Sequence, residues 1–461
     1  MPPHLAFFLT IAFVGFLFRR DILERPDITR ALWLPLIWTL FVGSRSPVQW
    51  LSALGVHVGG SSTEEGNPID AFVYLTLTAA AFFVLNKRRV TFAEIFRNNP
   101  WFVLFIFYAL LSIIWSDFPF VAFKRWIKTL GHPAMALVLL TEPDFEESLT
   151  RLMKRSAYVL IPCSILLIKY FEDIGRYWDE FTGFGHYCGV NLNKNGLGGG
   201  CMVFGTFFLW HLLKTWKGER SKARRNELLL IGGFMFMIAY LLRKAHCATC
   251  FLCLLIAIAI IILLGRKWVD KRLILGYAIV IVFILGVAEL GFGVFEHVVD
   301  LTGHESTIAG RAELWHDLLE VPMNPIFGVG FESFWMGDRL QAMWATHWWQ
   351  PTQAHNGYLE TYLNLGLVGL CLLIGLIGST FQKARLELFR NFDWGRYRLG
   401  MLVAILFHNW TEASFRGLGL SWFVFHIIAL DYPSFRFAAE SPSEVVAPED
   451  EVESAYFSNR I

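Results

Sequence analysis

The chain of 461 residues is more apolar than a soluble protein of its size: 55% of its residues are hydrophobic and 17% charged, with a mean hydropathy of +0.46. A net charge of +1 gives no reason to expect a nucleic-acid partner. These values predict an all-α, polytopic membrane protein, and 18 Trp and 43 Phe suit a large lipid-facing surface with aromatic belts.

Apolar segments recur along the chain and predict its membrane spans. We interpret the first, 5–18, as a span and not as a removed signal, because no basic region precedes it and no small-residue cleavage site follows. Several segments are short, and their lengths give 12 or 13 spans. They lie near 5–18, 31–42, 71–86, 100–115, 127–141, 156–170, 196–213, 227–242, 249–265, 273–294, 358–381, 399–411 and 417–430.

Basic residues are concentrated in alternate connections. By the positive-inside rule these connections face the cytoplasm, which predicts the orientation of a multi-pass membrane protein. The cations are Arg19, Arg20, Arg25 and Arg30; Lys87, Arg88, Arg89 and Arg97; Lys214, Lys217, Arg220, Lys222, Arg224 and Arg225; Arg266, Lys267, Lys271 and Arg272; and Lys383, Arg385, Arg390, Arg396 and Arg398.

The longest connection, 295–357, has the opposite character. From Glu296 to His355 it contains two Arg, no Lys and many acidic residues, so we place it on the outer side of the cytoplasmic membrane. Long loops are usually functional. The predicted organisation is a transmembrane bundle over 1–294, a long loop on the outer side over 295–357, further transmembrane helices over 358–432, and a disordered acidic cytoplasmic tail over 433–461.

The end of this loop carries the first candidate site residue. His355 and Asn356 stand where a polar stretch becomes the long apolar segment that starts near Tyr358. A His at a water–membrane boundary is suited to accepting a proton near neutral pH, although capping of the helix by His355 and Asn356 is the alternative. Gly366 and Gly369 would let another helix approach closely.

Two further stretches on the same side carry cations. Lys194 and Asn195 stand in a Gly-rich turn into the seventh span, where backbone N–H groups could hold an anion; an ordinary helix start is the alternative. Arg243 and Lys244 join spans eight and nine, where basic residues are otherwise scarce. A phosphate at the outer leaflet or a short tight turn would explain them.

Two other outer residues are candidates for contact with substrate. Glu412 lies in the last outer hairpin, where it could pair with an arginine. Trp315 is one of five Trp in the long loop, and indole faces commonly stack on sugar rings. Anchoring at the membrane interface is the alternative for each of these Trp.

The cysteines number seven, and three of them, Cys247, Cys250 and Cys253, follow His246 at helical spacing. Because they begin an apolar helix, we expect packed free thiols, with neither a metal site nor a disulfide framework. No Walker motif is present, which argues against an ATP-driven pump.

Together these motifs resemble the O-antigen ligase and polymerase family. The resemblance rests on His355-Asn356 followed by Gly366 and Gly369, on the segment 310–315 that begins Gly-Arg and ends in Trp, and on the block 324–331. Further matches are Gly43-Ser44-Arg45 with Trp50, the turn 193–196, and the hairpin from Asn409 to Glu412. These further matches favour the branch similar to exopolysaccharide polymerases. One departure lies at 243–249, where the family usually has Ser with Arg or Lys, then Thr or Ser.

The resemblance implies a glycosyltransferase that uses a polyprenyl-diphosphate-linked glycan as donor. Arg311 would grip the diphosphate, helped by Arg243 or Lys194; a salt bridge to Glu313 or Asp317 is its alternative role. His355 would deprotonate the acceptor glycan's hydroxyl, assisted by Asn356 or Glu360. The family implies inversion at the anomeric carbon, with no metal and no cofactor. Membrane lipid and a chain-length regulator protein are the other expected partners.

Three other functions stay open at this point. A ligase would transfer a finished glycan to a lipid A-core acceptor. A transporter or flippase would move lipid-linked sugars, but the sequence shows neither repeated halves nor an acidic relay within the spans. A structural subunit of a secretion complex would tolerate the loss of His355.

Overall fold

The computed structural model describes residues 1–24, 27–56, 66–178, 183, 185–277, 279–280 and 305–432. In these ranges the regular secondary structure is helical apart from one antiparallel hairpin, β1 (Arg176–Trp178) with β2 (Gly185–Tyr187). The predicted all-α polytopic fold is confirmed. Its helices are α1 (Pro3–Leu23), α2 (Trp33–Val42), α3 (Pro47–Ala53), α4 (Pro68–Lys87), α5 (Phe92–Asn98), α6 (Pro100–Leu111), α7 (Pro119–Thr129), α8 (Gly131–Leu140), α9 (Phe145–Tyr170), α10 (Glu172–Gly175), α11 (Lys194–Trp216), α12 (Lys222–Ala245), α13 (Ala248–Leu263), α14 (Glu305–Glu320), α15 (Gly337–Thr346), α16 (Gly357–Arg390), α17 (Phe392–Thr411) and α18 (Leu420–Ala429).

Four of the described helices, α4, α11, α12 and α16, are long and apolar enough to cross a membrane by themselves. The pair α5 and α6, extended to Trp115 and bent by 106°, gives a fifth candidate. Other predicted spans are shorter or divided: 127–141 is split between α7 and α8, and 417–430 contains the ten-residue α18. The total of 12 or 13 spans therefore stays a prediction. Most of the predicted span 273–294 and the whole tail 433–461 lie outside the described residues.

Charged residues gather at one end of the helix bundle, which we call the basic end. There Asp21 is buried between Arg151 and Arg155, at 2.7 and 2.6 Å. Glu227 accepts hydrogen bonds from Arg20 and Lys154, each at 2.7 Å. Because buried charges require partners, these pairs fix the ends of α1, α9 and α12 to one another.

The described part of the long loop forms a small hydrophobic core of its own. Leu314 and Leu318 of α14 pack with Phe334, Leu340 and Met343, and the cluster continues onto the start of α16. The described part of the loop, 305–357, is therefore a folded cap over one end of the bundle, opposite the basic end.

Backbone hydrogen bonds join this cap to a break in α16. Gly366 has φ of 64° and ψ of −165°, which interrupts the helix and leaves backbone groups unpaired. Gly330 N–H donates to Asn364 C=O at 2.9 Å, and Leu367 N–H donates to Pro325 C=O at 2.9 Å. We expected Gly366 to admit a second helix; the structure instead places the loop segment 324–330 there.

Candidate active site

Glu412 lies at the centre of the polar residues that the cap and the bundle bring together. It is the residue after α17, and its side chain is 13% exposed. Asn195 Nδ2 donates to its Oε1 at 2.6 Å, and an Arg311 guanidinium nitrogen lies 3.4 Å from the same oxygen. His355 Nδ1 lies 3.6 Å from Oε2. Four predicted site residues from four separate segments therefore meet at one carboxylate.

The charges of this group balance one another. Burial by itself raises the pKa of the Glu412 carboxyl, but the neighbouring His355 ring and the charge of Arg311 outweigh it, so this pKa lies below its ordinary value. Burial lowers the pKa of the Arg311 guanidinium, and the Glu412 carboxylate opposes that effect. Arg311 pairs with Glu412, whereas Asp317, an alternative partner named above, lies 3.1 Å from His347. The site thus holds a carboxylate between two nitrogen-bearing side chains.

Hydrogen bonds to both backbone groups of Ala354 fix the chain just before His355. Trp315 Nε1 donates to Ala354 C=O at 2.7 Å, and Ala354 N–H donates to Glu360 Oε2 at 2.8 Å. His355 itself has φ of 49°, a left-handed conformation that non-glycine residues adopt only where the surroundings impose it. Trp315, a predicted substrate contact, acts here through its N–H group to hold the turn that carries His355.

Glu360 is buried, with 3% of its side chain exposed, and its carboxylate is saturated by the protein. Trp335 Nε1 donates to both oxygens at 3.0 Å, and Arg416 lies 2.5 Å from Oε1. Burial alone would lower the pKa of Arg416, but Glu360 and Glu332 raise it above its ordinary value. Because both of its oxygens have protein partners, Glu360 holds Ala354, Trp335 and Arg416 in place. This geometry fits a positioning role better than proton transfer to substrate.

Asn356 and Lys194 occupy the starts of helices. Asn356 caps α16: its Oδ1 accepts from Tyr358 N–H at 3.0 Å and from Leu359 N–H at 3.1 Å. Lys194 is the first residue of α11, which Asn193 caps by accepting from Gly196 N–H at 2.8 Å. Because Asn195, the second residue of α11, donates to Glu412, the positive N-terminal end of α11 faces the site.

An apolar groove of about 550 Å³ runs between α12 and α13 and has two nitrogen-bearing side chains at the end nearest the site. Arg243 and His246 line that end, and Leu242, Phe251 and Leu254 are among the residues of its walls. Lys244 is placed differently: its Nζ lies 4.8 Å from the centre of the Tyr187 ring. Of the two predicted cations, Arg243 is the one that reaches the groove.

The cysteines at the start of α13 differ from the expectation of free thiols. Cys247 and Cys250 form a disulfide, because three-residue spacing across the first turn brings their Cα atoms to 5.4 Å. Cys253 is buried and free. Within the described ranges, no three His, Cys, Asp or Glu side chains are grouped as metal ligands.

Two residues near the site were missed from the sequence. Arg416 completes the shell around Glu360, and His408, 4% exposed, lies with its Nδ1 3.1 Å from Ser414 Oγ in the Glu412 hairpin. Arg416 carried the same signal that identified Arg243, a cation on a side where basic residues are scarce. His408 carried none, since it lies within a predicted apolar span.

Comparisons with known proteins bear on the family that this chain resembles. Residues 228–374 match the family described as O-antigen ligase, a range that includes Arg311, His355 and Glu360. The exopolysaccharide production protein ExoQ of Rhizobium meliloti (strain 1021) is 26% identical over 298 residues, which span 61% of this chain and 64% of that protein. Both findings confirm the resemblance predicted from the motifs.

Proposed function

We propose that this protein is a membrane glycosyltransferase that polymerises polyprenyl-diphosphate-linked repeat units at the outer face of the bacterial inner membrane. The observation that carries the proposal is the arrangement at Glu412, which sets a potential base, His355, and a potential diphosphate ligand, Arg311, on the two oxygens of one carboxylate. Similarity to an exopolysaccharide production protein supports a polymer as the product.

Arg311 serves the donor in this mechanism. The bond that breaks joins the anomeric carbon of the donor sugar to a diphosphate oxygen, so negative charge grows on the leaving diphosphate. A planar guanidinium can bind two phosphate oxygens at once and neutralise that charge. Its contact with Glu412, at 3.4 Å, is long for a hydrogen bond, and a diphosphate can displace it.

His355 serves the acceptor. A sugar hydroxyl is a weak nucleophile at neutral pH and must lose its proton as it attacks. Because Nδ1 faces both Glu412 Oε2 and the Gln353 amide, which lies 3.3 Å away, Nε2 is the nitrogen left to take that proton, and the carboxylate stabilises the resulting imidazolium. The new glycosidic bond forms on the face opposite the leaving diphosphate, so a single displacement inverts the anomeric carbon. The distance of 3.6 Å shortens when substrate is bound, as is common for catalytic hydrogen bonds.

The groove between α12 and α13 suits the lipid part of the donor. Its walls are apolar and its end near the site carries Arg243, so a polyprenyl chain fits the walls while the attached phosphate meets the guanidinium. Arg243 would then supply the second phosphate contact, although residues 243–249 depart from the family pattern.

A ligase is the second candidate, and the description of the matching family favours it. It would use the same donor chemistry, with the polymer already formed and a lipid A-core acceptor. The two candidates differ in the length of glycan on the unreacted donor.

The test is His355→Ala, followed by separation of lipid-linked glycans on a gel with a leaflet-specific probe. We expect a rate loss of about a hundred- to ten-thousand-fold, with single repeat units accumulating on the outer leaflet. Polymerised donor on that leaflet would identify a ligase, and accumulation on the inner leaflet a transporter. The matched control is His316→Ala on the same cap, whose side chain is 71% exposed. Polymer of normal yield from the His355→Ala protein would exclude His355 as the base.

A further inference from the structure

Three Trp of the cap have fixed structural roles, because each donates its indole N–H to a protein acceptor. Trp315 donates to Ala354 C=O at 2.7 Å, Trp335 to the Glu360 carboxylate at 3.0 Å, and Trp344 to Pro351 C=O at 2.9 Å. The bonds of Trp315 and Trp344 hold the turn that leads to His355, and the bond of Trp335 holds Glu360, which accepts from Ala354 N–H in that turn. These three indoles are therefore committed to the architecture of the cap.

Trp349 differs from them. Its side chain packs against the hydrophobic core of the cap, with 6.0 Å between its ring centre and that of His347, yet it stays partly exposed. Within the part of the chain that the structure describes, its N–H group has no hydrogen bond to protein. Its ring centre lies 5.8 Å from that of His355, with 45° between the ring planes. The exposed part of a flat apolar ring, with an unused polar edge, thus stands directly beside His355.

The position of Trp349 relative to His355 is fixed by the backbone between them. Gln350 has φ of 49°, and its N–H group donates to His347 C=O at 3.0 Å, which makes a tight turn. The carbonyl of Pro351 is held by Trp344, and Ala354 is held on both sides. The indole and the imidazole are consequently two parts of one rigid wall.

The two oxygens of Glu412 face different sides of the site, one the donor side and the other the wall formed by Trp349 and His355. Oε1 faces Asn195 and Arg311, whereas Oε2 faces His355, beside which Trp349 lies. The base must touch the acceptor hydroxyl and not the donor phosphate, so a sugar held beside His355 is the acceptor.

We propose that Trp349 is the stacking platform for the acceptor saccharide, holding the C–H face of a pyranose ring so that a hydroxyl reaches His355 Nε2. This inference rests on the proposed function. Aromatic side chains that are apolar on the face and polar at the edge suit such a ligand. A ring stacks roughly 4 Å above an indole, which leaves its hydroxyls within reach of an imidazole one ring away.

Binding of an acceptor without its lipid tests the proposal. The probe is an oligosaccharide of a few repeat units, made by hydrolysis of the polysaccharide of the source bacterium, titrated into the full-length protein in lipid nanodiscs. We expect Trp349→Leu to weaken binding by about tenfold or more, since it removes the flat surface of a central contact. Trp349→Phe, which retains an aromatic face, should keep most of the affinity. Trp178→Ala, at a 70% exposed Trp of the β1–β2 hairpin, is the control and should bind as the wild type does.

The remaining outcomes separate this inference from the proposed function. His355→Ala should bind the oligosaccharide normally while losing turnover. In turnover assays, Trp349→Leu should raise the acceptor KM with the donor KM unchanged, and excess acceptor should restore the rate; a merely structural defect would lower the rate at every acceptor concentration. Wild-type affinity in Trp349→Leu, or no binding by the wild type, overturns the platform even if His355→Ala is inactive. Full activity of His355→Ala overturns the mechanism, and the binding titration still decides the role of Trp349.

Discussion

The carboxylate of Glu412 has a different partner on each oxygen, with His355 at 3.6 Å from one and Arg311 at 3.4 Å from the other. Neither contact is short, whereas the hydrogen bond from Asn195 is 2.6 Å. Asn195 therefore fixes the carboxylate, and the two catalytic candidates stay available to substrate. Glu412 therefore acts by positioning His355 and Arg311. Its ion pair with Arg311 does not by itself reveal this role.

Arg311→Lys tests whether the shape of the cation matters. We expect loss of most activity with normal insertion, because an ammonium is a point charge that lacks the two-pronged geometry of a guanidinium. Polymer yield and length from membranes measure the effect. Arg339→Lys is the matched control, since Arg339 lies on the same cap and pairs with Asp117 at 2.7 Å. Normal polymer from Arg311→Lys would reduce Arg311 to a local ion pair with Glu412.

Glu412→Gln should change how stability depends on pH. The pKa of the Glu412 carboxyl is lowered in the folded protein, so the carboxylate stabilises the fold fully above its unfolded pKa of about 4.3. That contribution disappears as the pH falls through the lower folded pKa. We expect the variant to melt below the wild type at neutral pH, with the gap closing in acid. Glu320→Gln, at a 71% exposed carboxylate, is the control. A gap in Tm that is independent of pH would contradict this assignment.

At the scale of elements, α16 shows what the sequence predicts and where prediction ends. The long apolar run beginning near Tyr358 and the polar pair before it were recognised from composition alone. The break at Gly366 was not, because hydropathy records which residues are apolar and not which backbone groups they leave unpaired. For the same reason, the division of 127–141 at Gly131, which packs against Trp38, could not be predicted.

The site was predictable only in part, for a related reason. His355, Arg311 and Asn195 were each identified by a local motif, but Glu412 is far from all of them in the sequence. Their meeting depends on the cap packing onto α16 and on α17 ending beside α11. Such contacts between distant segments leave no periodic signal, so the partner of His355 had to come from the structure.

Gly366→Ala should disrupt the joint between the cap and the bundle. A methyl group at this position would collide with the backbone carbonyl of Ile326 and would need φ of 64°, which disfavours L side chains. We expect loss of activity and a lower Tm, because the loop segment 324–330 can no longer fill the break. Gly378→Ala in the same helix meets open space, and should be neutral or stabilising by roughly 0.5–1 kcal/mol. Equal Tm values for the two variants would show that the break is not required.

At the scale of the whole molecule, charged side chains have different roles at the two ends of the bundle. At the basic end, Arg20, Lys154 and Glu227 form a network of direct ion pairs that connects helices. At the opposite end, Arg416 and Arg339 are also paired, whereas Arg311 has only a long contact with Glu412, at 3.4 Å, and Arg243 borders the groove. Cations in short ion pairs serve structure, while Arg311 and Arg243 remain available for an anionic ligand.

This separation of charge predicts the orientation in the membrane. Residues of the basic end should face the cytoplasm and the cap should lie outside, because cytoplasmic connections carry the excess of Lys and Arg. Fusions of a reporter that is active only outside the cytoplasm should be active after Gly337 of the cap and inactive after Gly218, in the basic connection between α11 and α12; a fluorescent reporter that folds only inside should give the reverse. If the Gly337 fusion reports the cytoplasm, His355 and Arg311 would face the side opposite to the donor assumed here. The proposed polymerase would then have to be abandoned, even though the contacts at Glu412 would be unchanged.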